Sequence, residues 1–164
     1  MSTAILSLGS NLGDRYANIT AMKEALEKIS TKRIACSPLY ETVALEVKEK
    51  QRDYYNLTVR IETDETPLSL LKKTQNIEKE LGRNSKGEKL SRTADIDILL
   101  FDNLVIDLPE LTVPHPRMFF RKFAIEGVKA VAGDFVNPLT GKKFANYGVC
   151  GEILQQETRI IEQN

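Results

Sequence analysis

Two aspartates interrupt an apolar run in SRTADIDILLF, Ser91 to Phe101. If the run is a strand, Asp95 and Asp97 project from the same face with Cα atoms about 6.6 Å apart, while Ile96 and Ile98 point into the core. Paired carboxylates at that spacing suit hard cations, and specifically two Mg²⁺ ions roughly 3.5 to 4 Å apart that also bind water and phosphate oxygens. The same spacing also occurs on an ordinary solvent-facing edge strand, so the pair does not by itself define a metal site.

Its surroundings sharpen the reading. Arg83, Lys86, Lys89 and Arg92 precede the acids, and His115 and Arg121 follow on a second polar segment. Arginine offers forked donors that match phosphate oxygens, so carboxylates beside arginines describe a polyphosphate site. Two phosphate-binding motifs are excluded. GRNSKGEK, Gly82 to Lys89, has Glu88 where a P-loop needs lysine, and GSNLG near the start lacks the third glycine of a dinucleotide fingerprint. A flat heterocycle could be addressed from YYNLTVRIE, where Tyr54 and Asn56 share one strand face, with Phe123 as a second stacking surface. Aromatic residues at such places serve equally well as core.

These residues must be held by a recognisable set of elements. Thr3 to Gly9 reads as a strand, and Asp14 caps a helix from about Arg15 to Ser30 that carries Ile19, Met22, Leu26 and Ile29 on one face. Arg33 to Thr42 is strand-like around Ser37 and Pro38, and Ala44 to Asp53 has no period and reads as a mobile loop. From Tyr54 the chain alternates, with Tyr55, Leu57, Val59 and Ile61 on the inner face. Thr66 and Pro67 start a helix that Gly82 stops; Leu70, Thr74, Ile77 and Leu81 form its inner face, and Gln75 and Glu78 lie on a neighbouring one. The polar stretch Arg83 to Arg92 is a flexible basic loop. Beyond Phe101 come a turn and short strand, an irregular link through LTVPHPRM, and a helix ending near Gly133. The interleaving predicts an α+β fold with a mainly antiparallel sheet and helices packed on it.

The 164 residues fit one domain spanning the whole chain, with 41% apolar and 28% charged residues. Basic and acidic residues balance at 23 each, so no overall field favours nucleic acid or a membrane surface. No apolar run approaches membrane-spanning length. Cys36 and Cys150 have no metal-ligand spacing and read as reduced thiols, giving an expected cytoplasmic location. Nothing indicates an obligate protein partner.

Taken in order, LGSNLGD, LYET, DYYN, Q-x-x-E ahead of GR, SR-x-x-DIDILLF, and LTVPH with R-x-F six residues on resemble the 6-hydroxymethyl-7,8-dihydropterin pyrophosphokinase family of folate biosynthesis. The resemblance implies a ferredoxin-like α+β fold and pyrophosphoryl transfer from ATP to a reduced pterin, with two Mg²⁺ ions. Asp95 and Asp97 then match metal ligands, and Arg83 and Arg92 match arginines of a mobile catalytic loop. Gln75, Glu78, His115 and Arg121 match residues around ATP, with Lys86 beside the same phosphates. Thr42, Tyr54, Asn56 and Phe123 match the pterin pocket. This chain lacks the tryptophan that some members carry in the basic loop, and it has Pro116 where some have tyrosine. Two other readings use the same residues: a metal-dependent nucleotidyltransferase or nuclease, and a ferredoxin-like RNA-binding module stacking bases on Tyr54 and Phe123. Zero net charge and the paired acids argue against the second.

Overall fold

The computed structural model describes residues 1–43, 51–82, 92–148 and 158–162. Most of the expected loop from Ala44, the basic segment with Arg83, Lys86 and Lys89, and Cys150 lie outside the described residues.

The elements run β1 (Ser2–Ser10), α1 (Arg15–Glu27), β2 (Ala35–Cys36), β3 (Leu39–Thr42), β4 (Tyr54–Thr63), α2 (Pro67–Glu80), β5 (Asp95–Phe101), β6 (Ile106–Asp107), β7 (Thr112–Val113), α3 (Lys122–Ala132) and β8 (Thr158–Glu162). The main sheet has the order β5-β1-β4-β3-β8, with β2 also beside β4, and every pairing is antiparallel. Strand order β5-β1-β4-β3, with α1 and α2 as the two connections, is the ferredoxin-like arrangement expected from the sequence. Among the described residues no helix is long and apolar enough to cross a membrane.

Local chemistry accounts for the boundaries. Asp14 accepts the amide of Ala17 at 3.0 Å and starts α1, which ends at Glu27, three residues before the expected Ser30. Thr66 accepts the amide of Ser69 at 3.2 Å, Pro67 occupies the first turn of α2, and Gly82 at φ +94° turns the chain out of it. Pro38 cannot donate to the ladder, so the strand-like stretch divides into β2 and β3. Ser37 bridges the break: its Oγ accepts the Thr58 amide at 2.9 Å. The link through LTVPHPRM is more ordered than its composition suggests. It holds β7, a cis Val113–Pro114 bond and a 3-10 turn over Pro116–Phe120.

The sheet is covered on both faces. Leu6, Leu8, Val59, Ile61, Ile96 and Ile98 meet Met22 and Leu26 of α1 and Leu70 and Ile77 of α2 in one core. Ile5, Leu99 and Leu100 meet Phe123, Ile125 and Val128 of α3 and Phe144 in the other. β1 therefore contributes to both cores and is buried without a break from Ala4 to Ser10. A bulge makes β5 fit. Ile5 lies opposite Leu100 and Leu6 opposite Ile98, so Leu99 is the extra residue and both leucines reach the α3 core. N-terminal to that bulge the alternation is regular, and Asp95 and Asp97 share the α3 face of the sheet.

α3 packs over β4 and β1, and its N-cap residue Arg121 lines the cavity that holds the acids. The helix approaches β4 so closely that a Cβ on Gly127 would stand 2.0 Å from Thr58 Oγ1 and 2.7 Å from Thr58 Cβ. Alanine at a helix interior normally gains about 1 kcal/mol over glycine. Here we expect Gly127→Ala to lose about 1 to 3 kcal/mol through overpacking, measured by urea unfolding; a net gain would mean that α3 does not seat on Thr58.

Candidate active site

The acids stand on an edge strand with their side chains 16% (Asp95) and 21% (Asp97) exposed, so they are neither free in solvent nor sealed in the core. Arg92 Nη1 lies 3.3 Å from Asp95 Oδ2 and supplies a counter-charge. His115 Nε2 lies 3.9 Å from Asp97 Oδ1, beyond hydrogen-bond range. The histidine is tied at both ends. Its backbone amide donates to Leu99 O at 2.9 Å, and its Nδ1 accepts from the Arg117 amide at 3.2 Å. An acceptor Nδ1 places the proton of a neutral imidazole on Nε2, so the ring presents a donor on the side of the acids.

These groups open on a cavity of about 290 Å³ beside β5, which ends the sheet among the described residues. Arg92, Asp95, Asp97, Glu110, His115, Arg117 and Arg121 form the cavity's charged part. Leu71 of α2, Ile96, Ile98 and Leu111 form an apolar part, beside Thr112. The structure thus brings five of the sequence-predicted residues to one cavity and adds the apolar wall. Leu71 is one helical turn from Gln75, which is half-buried. Glu78 is 3% exposed, and its Oε2 accepts the amide of Ile96 at 3.2 Å, from the residue between the two aspartates. It braces the outer edge of β5 from α2.

Thr42, Tyr54 and Asn56 gather two strands away. Tyr54 is paired with Thr42, and Asn56 Nδ2 donates to Thr42 Oγ1 at 2.7 Å, which fixes the direction of the amide. In register, Gly9 lies opposite Asp95 on one side and opposite Asn56 on the other. Neighbouring strands are about 4.8 Å apart, so roughly 10 Å separates β5 from β4, with only a glycine between their side chains. A Cβ there would lie 3.1 Å from Asn56 Oδ1, 3.4 Å from Tyr54 Cδ1 and 3.8 Å from Asp95 Cβ. Gly9 keeps a saddle open between an acid-and-arginine half and an amide-and-aromatic half. Sequence reasoning passed over it, although a glycine inside a strand is a signal for close approach. Phe123 is 5% exposed and packs in the α3 core.

The donor set fits a divalent hard cation of the Mg²⁺ kind. Two carboxylates on one face are few ligands for a dedicated protein cage but suit an ion that keeps water and substrate oxygens. Among the described residues no cluster of three or more histidine, cysteine or acidic side chains competes with this pair.

A family model described as 7,8-dihydro-6-hydroxymethylpterin-pyrophosphokinase matches residues 5–133. A folic acid synthesis protein of Pneumocystis carinii is 39% identical over 145 residues, covering 87% of this chain and 19% of its own length. The 2-amino-4-hydroxy-6-hydroxymethyldihydropteridine pyrophosphokinase of Haemophilus influenzae is 38% identical over 139 residues, covering 84% of this chain and 86% of its own length. The Bacillus subtilis protein of the same name is 35% identical over 160 residues, covering 97% and 94%. The chain therefore spans about a fifth of the first of these relatives and nearly all of the other two. In fold it is similar to the Plasmodium falciparum HPPK-DHPS crystal structure, with a TM-score of 0.65 at 17% identity over 88% of this chain and 42% of that one.

The bracing of β5 by Glu78 can be tested directly. Glu78→Ala leaves the Ile96 amide without its carboxylate acceptor and is expected to cost about 1 to 3 kcal/mol in chemical denaturation. Glu78→Gln, which keeps an acceptor oxygen, is expected to recover most of that loss. Equal losses in the two variants would assign the effect to charge and not to the Ile96 amide.

Proposed function

The chain belongs to the 7,8-dihydro-6-hydroxymethylpterin-pyrophosphokinase family, and on that premise we propose that it transfers a pyrophosphoryl group from ATP to the hydroxymethyl group of 6-hydroxymethyl-7,8-dihydropterin, leaving AMP, in folate biosynthesis. The observation that carries this reading is the row Asp95, Gly9, Asn56: a phosphate-handling half and a heterocycle-handling half meet across one strand with no side chain between them.

In the proposed arrangement ATP lies along the outer edge of β5. Leu71, Ile98 and Leu111 offer an apolar wall to the adenine, and Arg92, Arg121 and the Nε2–H of His115 offer donors to the phosphate chain. The sequence adds Arg83 and Lys86 to the phosphate donors. Gln75 and Glu78 stand behind that edge on α2. The pterin stacks on Tyr54 and is oriented by Asn56, whose amide Thr42 holds; the resemblance adds Phe123 to this pocket as a residue packed in the α3 core. Asp95 and Asp97 would hold two Mg²⁺ ions, which when bound supply positive charge to the phosphate oxygens.

The hydroxyl oxygen attacks the β-phosphorus and gives up its proton to solvent, the bond from that phosphorus to the α–β bridging oxygen breaks, and AMP leaves with that oxygen. The protein's contribution is to align the two substrates and to set positive groups where charge develops. A cytoplasmic setting belongs to the same proposal and is supported by Cys36 as a free thiol.

Supplying ATP, Mg²⁺ and the hydroxymethyl pterin should yield AMP; ADP or free pyrophosphate as product would overturn the assignment. Asp97→Ala is expected to abolish turnover while stability without Mg²⁺ stays level or rises, because one of two neighbouring acids has been removed. A large drop in Tm with full activity would make Asp97 purely structural. Arg92→Ala is expected to cost about 3 to 4 kcal/mol, roughly 10² to 10³ in rate, by removing a contact to developing charge. The Kd for a non-hydrolysable ATP analogue should change less than about tenfold. If the analogue's affinity falls as far as the rate, Arg92 acts as a ground-state clamp.

A further inference from the structure

The turn after β1 holds a buried amide that the proposed mechanism does not use. Asn11 is 1% exposed, and its side chain faces two ways. Its Oδ1 accepts the backbone amide of Arg92 at 2.7 Å, and its own backbone amide donates to Arg92 O at 3.0 Å. Its Nδ2 donates to Gln51 Oε1 at 3.0 Å and to Arg52 O at 3.1 Å. Arg92 leads directly into the acids of β5, and Gln51 and Arg52 lead directly into Tyr54 and Asn56 of β4. One side chain therefore clamps the entry to the phosphate half and the entry to the heterocycle half.

The turn that carries Asn11 is itself anchored elsewhere. Asn18 of α1 donates to Ser10 Oγ at 3.2 Å and to Leu12 O at 2.9 Å, and Arg52 Nη1 donates to Gly13 O at 3.0 Å. The fold thus has separate means of holding the turn, and the Asn11 side chain is left to join the strands' entries. Only an amide does this. An aspartate would keep the acceptor for Arg92 but would set a carboxylate oxygen against the Arg52 carbonyl, which can only accept, and Gln51 would have to turn its amide to meet it.

We propose that Asn11 is a positioning residue for pyrophosphoryl transfer, setting the distance and angle between the two half-sites without touching either substrate. Each half carries its own contacts and can bind its substrate when the clamp is lost. Alignment between them cannot survive, and a misplacement of about 1 Å between reacting atoms costs on the order of 10² in rate.

The inference rests on the reading of ATP and pterin as substrates, and the test separates the two. Wild type and Asn11→Asp are compared by single-turnover AMP formation and by separate equilibrium titrations with a non-hydrolysable ATP analogue and with the pterin, below the Tm of both. The expected result is a rate lower by roughly 30- to 300-fold, with each Kd changed less than about threefold. Gln51→Ala, which removes one of the three side-chain bonds, should lose rate by a smaller factor with the same pattern, and it replaces Asn11→Asp if that variant does not fold. Asn18→Ala, which loosens the same turn from α1 without touching Arg92 or Gln51, should lower Tm and keep the rate. An unchanged rate in the clamp variants, a Kd that falls as far as the rate, or an equal rate loss in Asn18→Ala overturns the proposal. If wild type binds neither ligand, the functional reading itself fails.

Discussion

The register of β1 against its two neighbours is the constraint on which the site depends. Strand side chains alternate with a period of two, so a slip of one residue would carry every facing group to the other side of the sheet. Gly9 opposite both Asp95 and Asn56 is the pairing that sets acids and amide on one surface. The bulge at Leu99 protects that arrangement by its position. Placed between Asp95 and Asp97 it would divide the pair between two faces; placed after them, it only turns the apolar end of β5 toward α3.

A second constraint is electrostatic. Two acids on an edge strand, each about four-fifths removed from solvent, repel each other and lose hydration. The fold meets that cost locally, with Arg92 against Asp95 and the donor side of His115 near Asp97. The overall charge is zero, yet Arg92, Arg117 and Arg121 converge on one cavity with these two acids and Glu110. A polyanion carrying cations meets both signs already in place, and its binding needs no field from the molecule as a whole.

The remaining elements stiffen these parts. α3 seats on β4 through Gly127 and Thr58, and Phe144 stacks with Tyr147 behind it at 5.0 Å. On the opposite face Arg15 lies 3.9 Å over the Tyr55 ring and pairs with Glu41 at 3.0 Å. Glu41 also meets Arg159 of β8, so the strand beyond the matched family region braces β3, which carries Thr42.

Much of this was legible in the sequence because it depends on local rules. Asp14, Thr66 with Pro67, and Gly82 mark helix ends by satisfying or releasing backbone groups nearby in the chain, and the DIDIL alternation assigns acids and isoleucines to opposite faces. The family followed from the order of short motifs, each weak alone. What tertiary structure decided depends on partners far apart in sequence. Gly9 gains its meaning only when β4 and β5 flank it, and Asn11 only when Arg92 and Gln51 arrive from distant segments. The carboxylate of Glu78 meets the Ile96 amide only because α2 packs beside β5, the last strand of the sheet among the described residues. Phe123 could stack or fill core on sequence grounds, and the position of α3 placed it in the core. A sequence states which groups are available and which face each takes; the distances between faces are set only when the strands pair.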